Sequence, residues 1–382
     1  MKLHIFNPEH DIALAADVRR FTAPLAARQL RRDLAFLPAL WADDGDFVLV
    51  EEVDEAVRQS KSFGTLMADV RFVSADDLRR LSQQFSAVEI EPWGWDFGVV
   101  ETLSKAGLGR FCPSAEQIRT IRELSSRRWA AERLLPALRS RLSFKTVGVS
   151  RYISCESELP TAAEIPFVLK SPWSSSGRGI RYVFDPKQLE RNLSWARRVV
   201  GQQGGIMVEP FYEKVTDFAM EFEAKADKSV VFKGLSLFLT KNGAYTGNLI
   251  ASEREKQEIL SEWVPVEVQT RLSEAICSIV SEEFSGRYIG PFGIDMMIVR
   301  DDSKNLADDS KKIADGSKNR GEKSEIALHP CVELNFRRTM GHVALSIPCE
   351  KFAPKIMSID YTDRHRLQII RSNENFVNNS SF

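Results

Sequence analysis

Short apolar runs bounded by polar turns fall at residues 3–6, 47–50, 70–73 and 88–90. Segments with helical spacing lie between them. Apolar runs of this length alternating with helical patterns predict a parallel sheet. Over residues 22–41, Leu25, Leu30, Leu34 and Leu37 recur among arginines after Thr22 and Pro24. That pattern predicts one helix with a Thr cap. The first run leads into Asn7-Pro8-Glu9-His10-Asp11 and then an apolar helical start, the first unit of a Rossmann-like layer. Residues 1–113 therefore read as a small α/β domain, with Trp93 and Trp95 either closing the bottom of a domain interface, the favoured reading, or lining a ligand pocket.

After residue 113 the order of elements changes. A long helical pattern covers 114–138, and strands are predicted at 144–149 and 165–170. A helix over 186–200 precedes a strand over 205–212. Residues 218–222 alternate, 230–240 read as one strand, and 241–248 read as a polar loop. A helix over 266–284 is followed by strands at 294–299 and 326–336. This order predicts two α+β subdomains, 114–204 and 205–350. Between the last two strands, Asp301, Asp308 and Asp315 open similar Asp/Ser/Lys units seven residues apart. With so few apolar positions, residues 300–325 predict a solvated, disordered insertion within one hairpin. Residues 351–382 form a C-terminal extension whose polar end is expected to fray.

Composition narrows the function classes. The 382 residues are 43% hydrophobic and 27% charged, with a net charge of -1. This balance gives no basis for general affinity to nucleic acid or to an anionic membrane. The five cysteines are scattered without a CxxC pair, and no apolar run is long enough to span a bilayer. A cytoplasmic protein is expected.

Candidate chemistry clusters in a few stretches. In Pro330-Cys331-Val332-Glu333-Leu334-Asn335-Phe336-Arg337, an extended strand puts Glu333, Asn335 and Arg337 on one face and apolar residues on the other. The polar face carries two hard oxygen ligands and an anion binder, although a half-exposed strand with a salt-bridging Arg has the same pattern. Asp295 sits in an apolar strand, where an acid needs a partner or a metal. With the insertion folded out, Asp295 lies across from Glu333 and Asn335. Lys170 ends an apolar strand and precedes Ser174, Ser175, Ser176, Gly177, Arg178 and Gly179. A cation at a strand end and a loop of small residues suit phosphate oxygens. Glu209, Pro210, Phe211 and Tyr212 end another strand and could wall a planar ring. His10, Tyr245, Asn248 and His342 are candidate substrate contacts.

In this order the motifs resemble the ATP-grasp superfamily over roughly residues 114–350, preceded by the Rossmann-like domain common in that family. The resemblance implies two subdomains clamping ATP. It implies that Lys170 and the 174–179 loop hold phosphates, residues 209–212 flank adenine, and Asp217 holds the ribose. It also implies that Asp295, Glu333 and Asn335 bind Mg2+ (or Mn2+), and that Arg337 steadies the reacting group. The family's first phosphate lysine is replaced by Arg127 or Arg128, with Arg128 carried in the candidate set. Two other departures are serines in place of loop glycines and Asp rather than Glu at 217. The implied reaction activates a carboxylate as an acyl phosphate and joins it to an amine, Lys170 and Arg337 being the candidate catalytic residues. The alternatives are a small-molecule kinase and a non-catalytic nucleotide-binding regulator. Expected partners are small carboxylates and amines, not nucleic acid or membrane, and a homo-oligomer is compatible with this reading.

Overall fold

The structure, a computed structural model, describes residues 1–174, 179–241, 244–284, 286–301, 325–349 and 353–371. The N-terminal layer contains β1 (Lys2–Ile5), β2 (Phe47–Leu49), β3 (Arg71–Val73) and β4 (Glu89–Pro92). They form one parallel sheet of order β3-β2-β1-β4. Parallel strands are covered on both faces, which is why these runs are continuously apolar. The expected helix over 22–41 is broken. A helix spans Leu25–Asp33 after Pro24, which makes no side-chain cap, and a 3-10 turn spans Leu37–Leu40. Leu34 and Phe36 are buried where the helix stops, and Pro38 cannot continue the helical ladder.

The remaining strands are β5 (Arg151–Ile153), β6 (Phe167–Lys170), β7 (Ile180–Val183), β8 (Ile206–Pro210), β9 (Glu213–Ala224), β10 (Val230–Ser236), β11 (Phe238–Lys241), β12 (Ala244–Ile250), β13 (Gly290–Asp301), β14 (Glu325–Asn335), β15 (Lys355–Tyr361) and β16 (His365–Arg371). They build three antiparallel sheets of orders β5-β8-β6-β7, β10-β9-β13-β14 and β11-β12-β15-β16. The observed architecture is thus a parallel α/β layer followed by an α+β region. Among the described residues, no helix is long and apolar enough to cross a membrane.

Several expected elements differ. The 114–138 helix is interrupted. A capped segment, Ala115–Leu124, stops, Ser126 caps a new turn at Arg127, and a π-helical stretch spans Ala130–Leu134. Ser side chains compete for backbone donors, which favours a new cap over continuation. Residues 144–149 form no strand, only a bridge from Thr146 to Leu328. The 230–240 run divides at Leu237, so that β10 and β11 lie in different sheets. Tyr245 and Asn248 lie on a strand rather than in a loop. The C-terminal extension forms a hairpin, β15 and β16, added to β12. Most of the heptad insertion, residues 302–324, lies outside the described residues, as does the end of the chain from 372.

The helix Val266–Phe284 packs its apolar stripe of Leu272, Ile276, Ile279 and Val280 beneath the β10-β9-β13-β14 sheet. Phe336 holds this layer together. It is 1% exposed and meets Phe284 at 4.9 Å and Tyr288 at 4.8 Å, both edge-on. Phe336 lies on the chain between Asn335 and Arg337, so the core fixes the segment that presents them. Phe336→Ala is expected to lower stability by about 3–5 kcal/mol, measured as a lower midpoint in urea unfolding.

Candidate active site

The site begins with cross-strand register. Asp295 on β13 pairs with Glu333 on β14 and with Ala219 on β9, while Gly293 pairs with Asn335 and Glu221. Residues opposite each other share a face, so Asp295, Glu333, Asn335 and Glu221 line one side of the sheet. Asp217 stands on the same side of β9, two residues from Ala219. The Asn335 amide donates to Asp295 Oδ2 at 3.3 Å, and its oxygen accepts from Arg337 Nη2 at 2.9 Å. Burial, followed by the charges of Glu333 and Glu221, pushes the Asp295 carboxyl well above the usual carboxylate range. A bound cation would relieve that repulsion.

Arg337 reaches back to the N-terminal domain. Its Nε donates to Asp11 Oδ2 at 2.9 Å. Burial alone would raise the Asp11 carboxyl, but Arg337 overrides this and holds it below the usual range. Arg338 N donates to Trp93 O at 2.7 Å, and its guanidinium lies over the Trp41 ring.

The facing wall belongs to the β5-β8-β6-β7 sheet. Lys170 ends β6, is 7% exposed, and pairs with Glu209 of β8 at 2.5 Å. Arg127 connects the two walls. Its Nη1 donates to Ser171 O at 2.7 Å and Ser174 Oγ at 2.8 Å, and its Nη2 donates to Glu333 Oε1 at 2.5 Å. Arg128, the residue carried in the candidate set, is turned away. It donates to Glu132 at 2.8 Å and covers the Tyr152 ring at 4.2 Å. The break at Ser125-Ser126 starts a new helical turn, which places Arg127 inward and its neighbour outward. Gly179 stands close to Ser171, whose N–H its carbonyl accepts at 2.8 Å, and Ser175, Ser176, Gly177 and Arg178 lie outside the described residues.

Along the expected hinge, Pro210 and Phe211 are both exposed, and the Phe211 ring meets Phe184 edge-on at 4.8 Å. Tyr212 meets the His329 ring edge-on at 5.8 Å. Asp217 is paired with Lys214. The candidate substrate contacts lie deeper. His10 is fully buried against Asp96 at 3.3 Å. His342 Nε2 faces the Phe222 carbonyl at 3.1 Å. Asn248 is fully buried and donates to Ser236 Oγ at 2.7 Å. Tyr245 keeps a buried hydroxyl.

The structure thus gathers Asp295, Glu333, Asn335 and Arg337, and joins them to Lys170's wall through Arg127. Arg127 is one of the two arginines that the sequence offers for the first phosphate position, and Asp11 stands beside His10 in the candidate turn after the first strand. Glu221 is the contributor that the sequence reading missed, although it carries the signal that singled out Asp295, an acid in an otherwise apolar strand.

Mg2+ prefers oxygen ligands and completes its shell with phosphate and water. Asp295, Glu333 and the nearby Asn335 amide fit that need. Among the described residues no group of three or more His, Cys, Asp or Glu is placed to hold a metal alone. Two carboxylates suit a metal shared with phosphate rather than a closed protein cage.

No family model matches the chain, and no curated protein matches it. Solved structures do. N5-carboxyaminoimidazole synthetase from Staphylococcus aureus, complexed with ADP, aligns over 99% of this chain and 94% of its own at 13% identity and a TM-score of 0.48. A biotin carboxylase complex from Campylobacter jejuni aligns over 94% of this chain and 75% of its own at 14% identity and a TM-score of 0.48. At these identities and scores the likeness carries no weight for the function of this chain.

Two outcomes follow from the geometry. Arg127→Ala is expected to lower stability by about 1.5–3 kcal/mol, and Arg128→Ala by less than about 1 kcal/mol, in urea unfolding. His329, pushed down to about 4 by burial, binds fewer protons folded than unfolded. Its contribution is present above the unfolded value of about 6.5 and is lost as pH falls toward its folded value, a change of about 3 kcal/mol. His329→Gln is expected to flatten that part of the stability–pH curve.

Proposed function

We propose that this chain is an ATP-grasp ligase that activates a carboxylate with ATP and transfers the acyl group to an amine. The observation that carries the reading is the pairing of Asp295 with Glu333 across β13 and β14, beside Asn335 and Arg337. Arg127 joins this wall to the strand that ends in Lys170. A face crowded with acids facing buried cations suits a metal–polyphosphate ligand better than an uncharged one.

In this reading Asp295, Glu333 and Asn335 hold Mg2+. The metal, when bound, neutralises phosphate charge and favours transfer of the γ-phosphoryl group. Lys170 and Arg127 supply positive charge to the phosphate chain. Lys170 is held by Glu209, and Arg127 by backbone and hydroxyl oxygens, so both are ordered before nucleotide arrives. Residues 209–212 border the adenine and Asp217 takes the ribose. Arg337 stabilises the anionic oxygens of the acyl phosphate, and Asp11 and Asn335 orient it. A carboxylate ligand must compete with Asp11 for this guanidinium, which favours acids that bring a second anchoring group.

The test is ADP release by purified protein with Mg2+ and ATP, screened against pooled carboxylates with pooled amines. Wild type is expected to release ADP and phosphate together in at least one pool. Glu333→Ala is expected to lose at least about a hundredfold of that rate, equivalent to roughly 2.7 kcal/mol. ADP without phosphate would point to a kinase. No turnover above the variant in any pool would overturn the reading.

A further inference from the structure

A cavity of about 570 Å3 opens in the N-terminal layer. All the described residues that border it fall between positions 5 and 102, and none belongs to the metal wall. Each of the four parallel strands leads into it: Asn7 follows β1, Glu51 follows β2, Ser74 follows β3 and Asp96 follows β4. The cavity therefore stands outside the carboxyl ends of the sheet. In the order β3-β2-β1-β4, β1 has its successor on one side and β4 on the other, so the strand order reverses beside β1. Loops that leave a parallel sheet on either side of such a reversal part from each other, and the crevice between them is where open α/β sheets take ligands. Arg28 and Arg31 of the helix Leu25–Asp33 border it as well. Pockets for small organic molecules run from about 300 to 1,000 Å3, so this one has room for such a molecule.

The lining decides what kind of molecule fits. Much of it is apolar, from Phe6, Phe21, Ala35, Val50 and Val99. Its charge is unbalanced: the carboxylates of Glu9, Glu51, Asp76 and Asp96 stand against the guanidinium groups of Arg28 and Arg31. Most of these groups are already committed. Asp96 Oδ1 accepts from Gly98 N at 2.7 Å and Val99 N at 3.0 Å, and its Oδ2 accepts from the Asn7 amide at 3.0 Å. Asp76 is exposed and pairs with Arg79. Arg31 is divided between two carboxylates, Nη2 donating to Glu51 Oε1 at 2.9 Å and Nη1 to Glu9 Oε1. Arg28 is exposed, where solvent and salt screen it. Glu9 is different. It is 6% exposed, and its Oε2 has no hydrogen-bond partner among the described residues. Burial outweighs the pull of Arg31 and pushes the Glu9 carboxyl up. A buried carboxylate with one oxygen unpaired is costly, and a cationic donor entering the cavity would satisfy it. An anion would instead meet surplus negative charge and an arginine already held by two acids.

We propose that this cavity is a second small-molecule site, for a primary ammonium group carried on an apolar body, with Glu9 as the group that takes the ammonium. The charge of the ligand offsets the surplus of the lining, and its body displaces water from Phe6, Phe21 and Val50. Both parts are needed. A bare cation leaves the apolar wall wet, and a neutral molecule leaves Glu9 unpaired. The site stands apart from the ligase reading, since it uses no residue which that reading assigns to metal, nucleotide or acyl group.

The probe is tryptamine, an ammonium ion at neutral pH, titrated into the whole protein by calorimetry. Tryptophol carries the same indole and ethyl chain with a neutral hydroxyl. Indole-3-propionate carries a carboxylate, and methylammonium carries the charge without the body. Tryptamine is expected to bind at least about tenfold more tightly than each of the three. Glu9→Gln keeps the shape of the side chain and removes its charge, and is expected to abolish the advantage over tryptophol. Ala75→Trp adds bulk at an exposed position on the lining and leaves Glu9 in place, so it guards against a Glu9→Gln variant that fails to fold. It is expected to weaken tryptamine at least about fivefold. Equal affinity for tryptamine and tryptophol would overturn the proposal, as would tighter binding of indole-3-propionate or no binding of tryptamine at all. Affinity unchanged in both variants would put the amine elsewhere and overturn it too. Repeating the titration with saturating Mg·ATP separates the two sites. Tryptamine affinity is expected to stay within about twofold, and its displacement by nucleotide would overturn the assignment. Failure of Mg·ATP to bind defeats the ligase reading and leaves the cavity's result standing.

Discussion

A guanidinium taken out of water must be paired, and the pairing of Arg337 organises much of this molecule. Its Nε meets Asp11 in the first turn after β1, its Nη2 meets Asn335, and its Nη1 meets the Arg338 carbonyl. Asp11 belongs to the parallel layer and Asn335 to the antiparallel sheet. The two regions are therefore docked through a charged contact at the site, not only through apolar surface away from it. Arg338 strengthens the same seam with Glu91 and Trp41. Removing one partner would leave the other buried and charged, so the seam and the site stand or fall together.

Arg127 does similar work between the two antiparallel walls. It is 6% exposed, and its donors are divided between the Lys170 side and Glu333. With a cation across it, Glu333 is held near Asp295 despite their repulsion. The sheet face is thus stocked with negative charge and bordered by positive charge. Such an arrangement is expensive for stability alone and useful for a ligand that is itself both metal and anion.

Much of this was legible in the letters, for a physical reason. Strand alternation is a two-residue rule, so Glu333, Asn335 and Arg337 were placed on one face, and folding out the insertion set Asp295 opposite. The parallel layer was legible because its strands are continuously apolar. What escaped reading depended on events without a period. The break at Ser125-Ser126 decides that Arg127 rather than Arg128 turns inward. The sheet switch at Leu237 sends the chain into a new ladder, β11 with β12, whose register shifts between Leu239–Gly247 and Thr240–Tyr245, and an apparent loop becomes a strand carrying Tyr245 and Asn248. Glu221 is a different case. Its signal was present, but the room for its carboxylate comes from Gly293 and Gly341, distant in sequence, where a Cβ would fall on its oxygens.

The β13–β14 hairpin has one more consequence. Its ladder runs unbroken in pairing from Asp301 opposite Glu325 to Val299 opposite Ala327, and then on through a bulge to Asp295 opposite Glu333. At a strand's rise, the six residues from Asp295 to Asp301 separate the acids from the end of the described ladder by about 20 Å. Five consecutive pairs, from Asp301–Glu325 to Met297–His329, hold the two strands together on that side of the acids. The sequence from 302 to 324 is consequently free to change in length and composition, while the spacing of Asp295 and Glu333 stays under the control of the ladder.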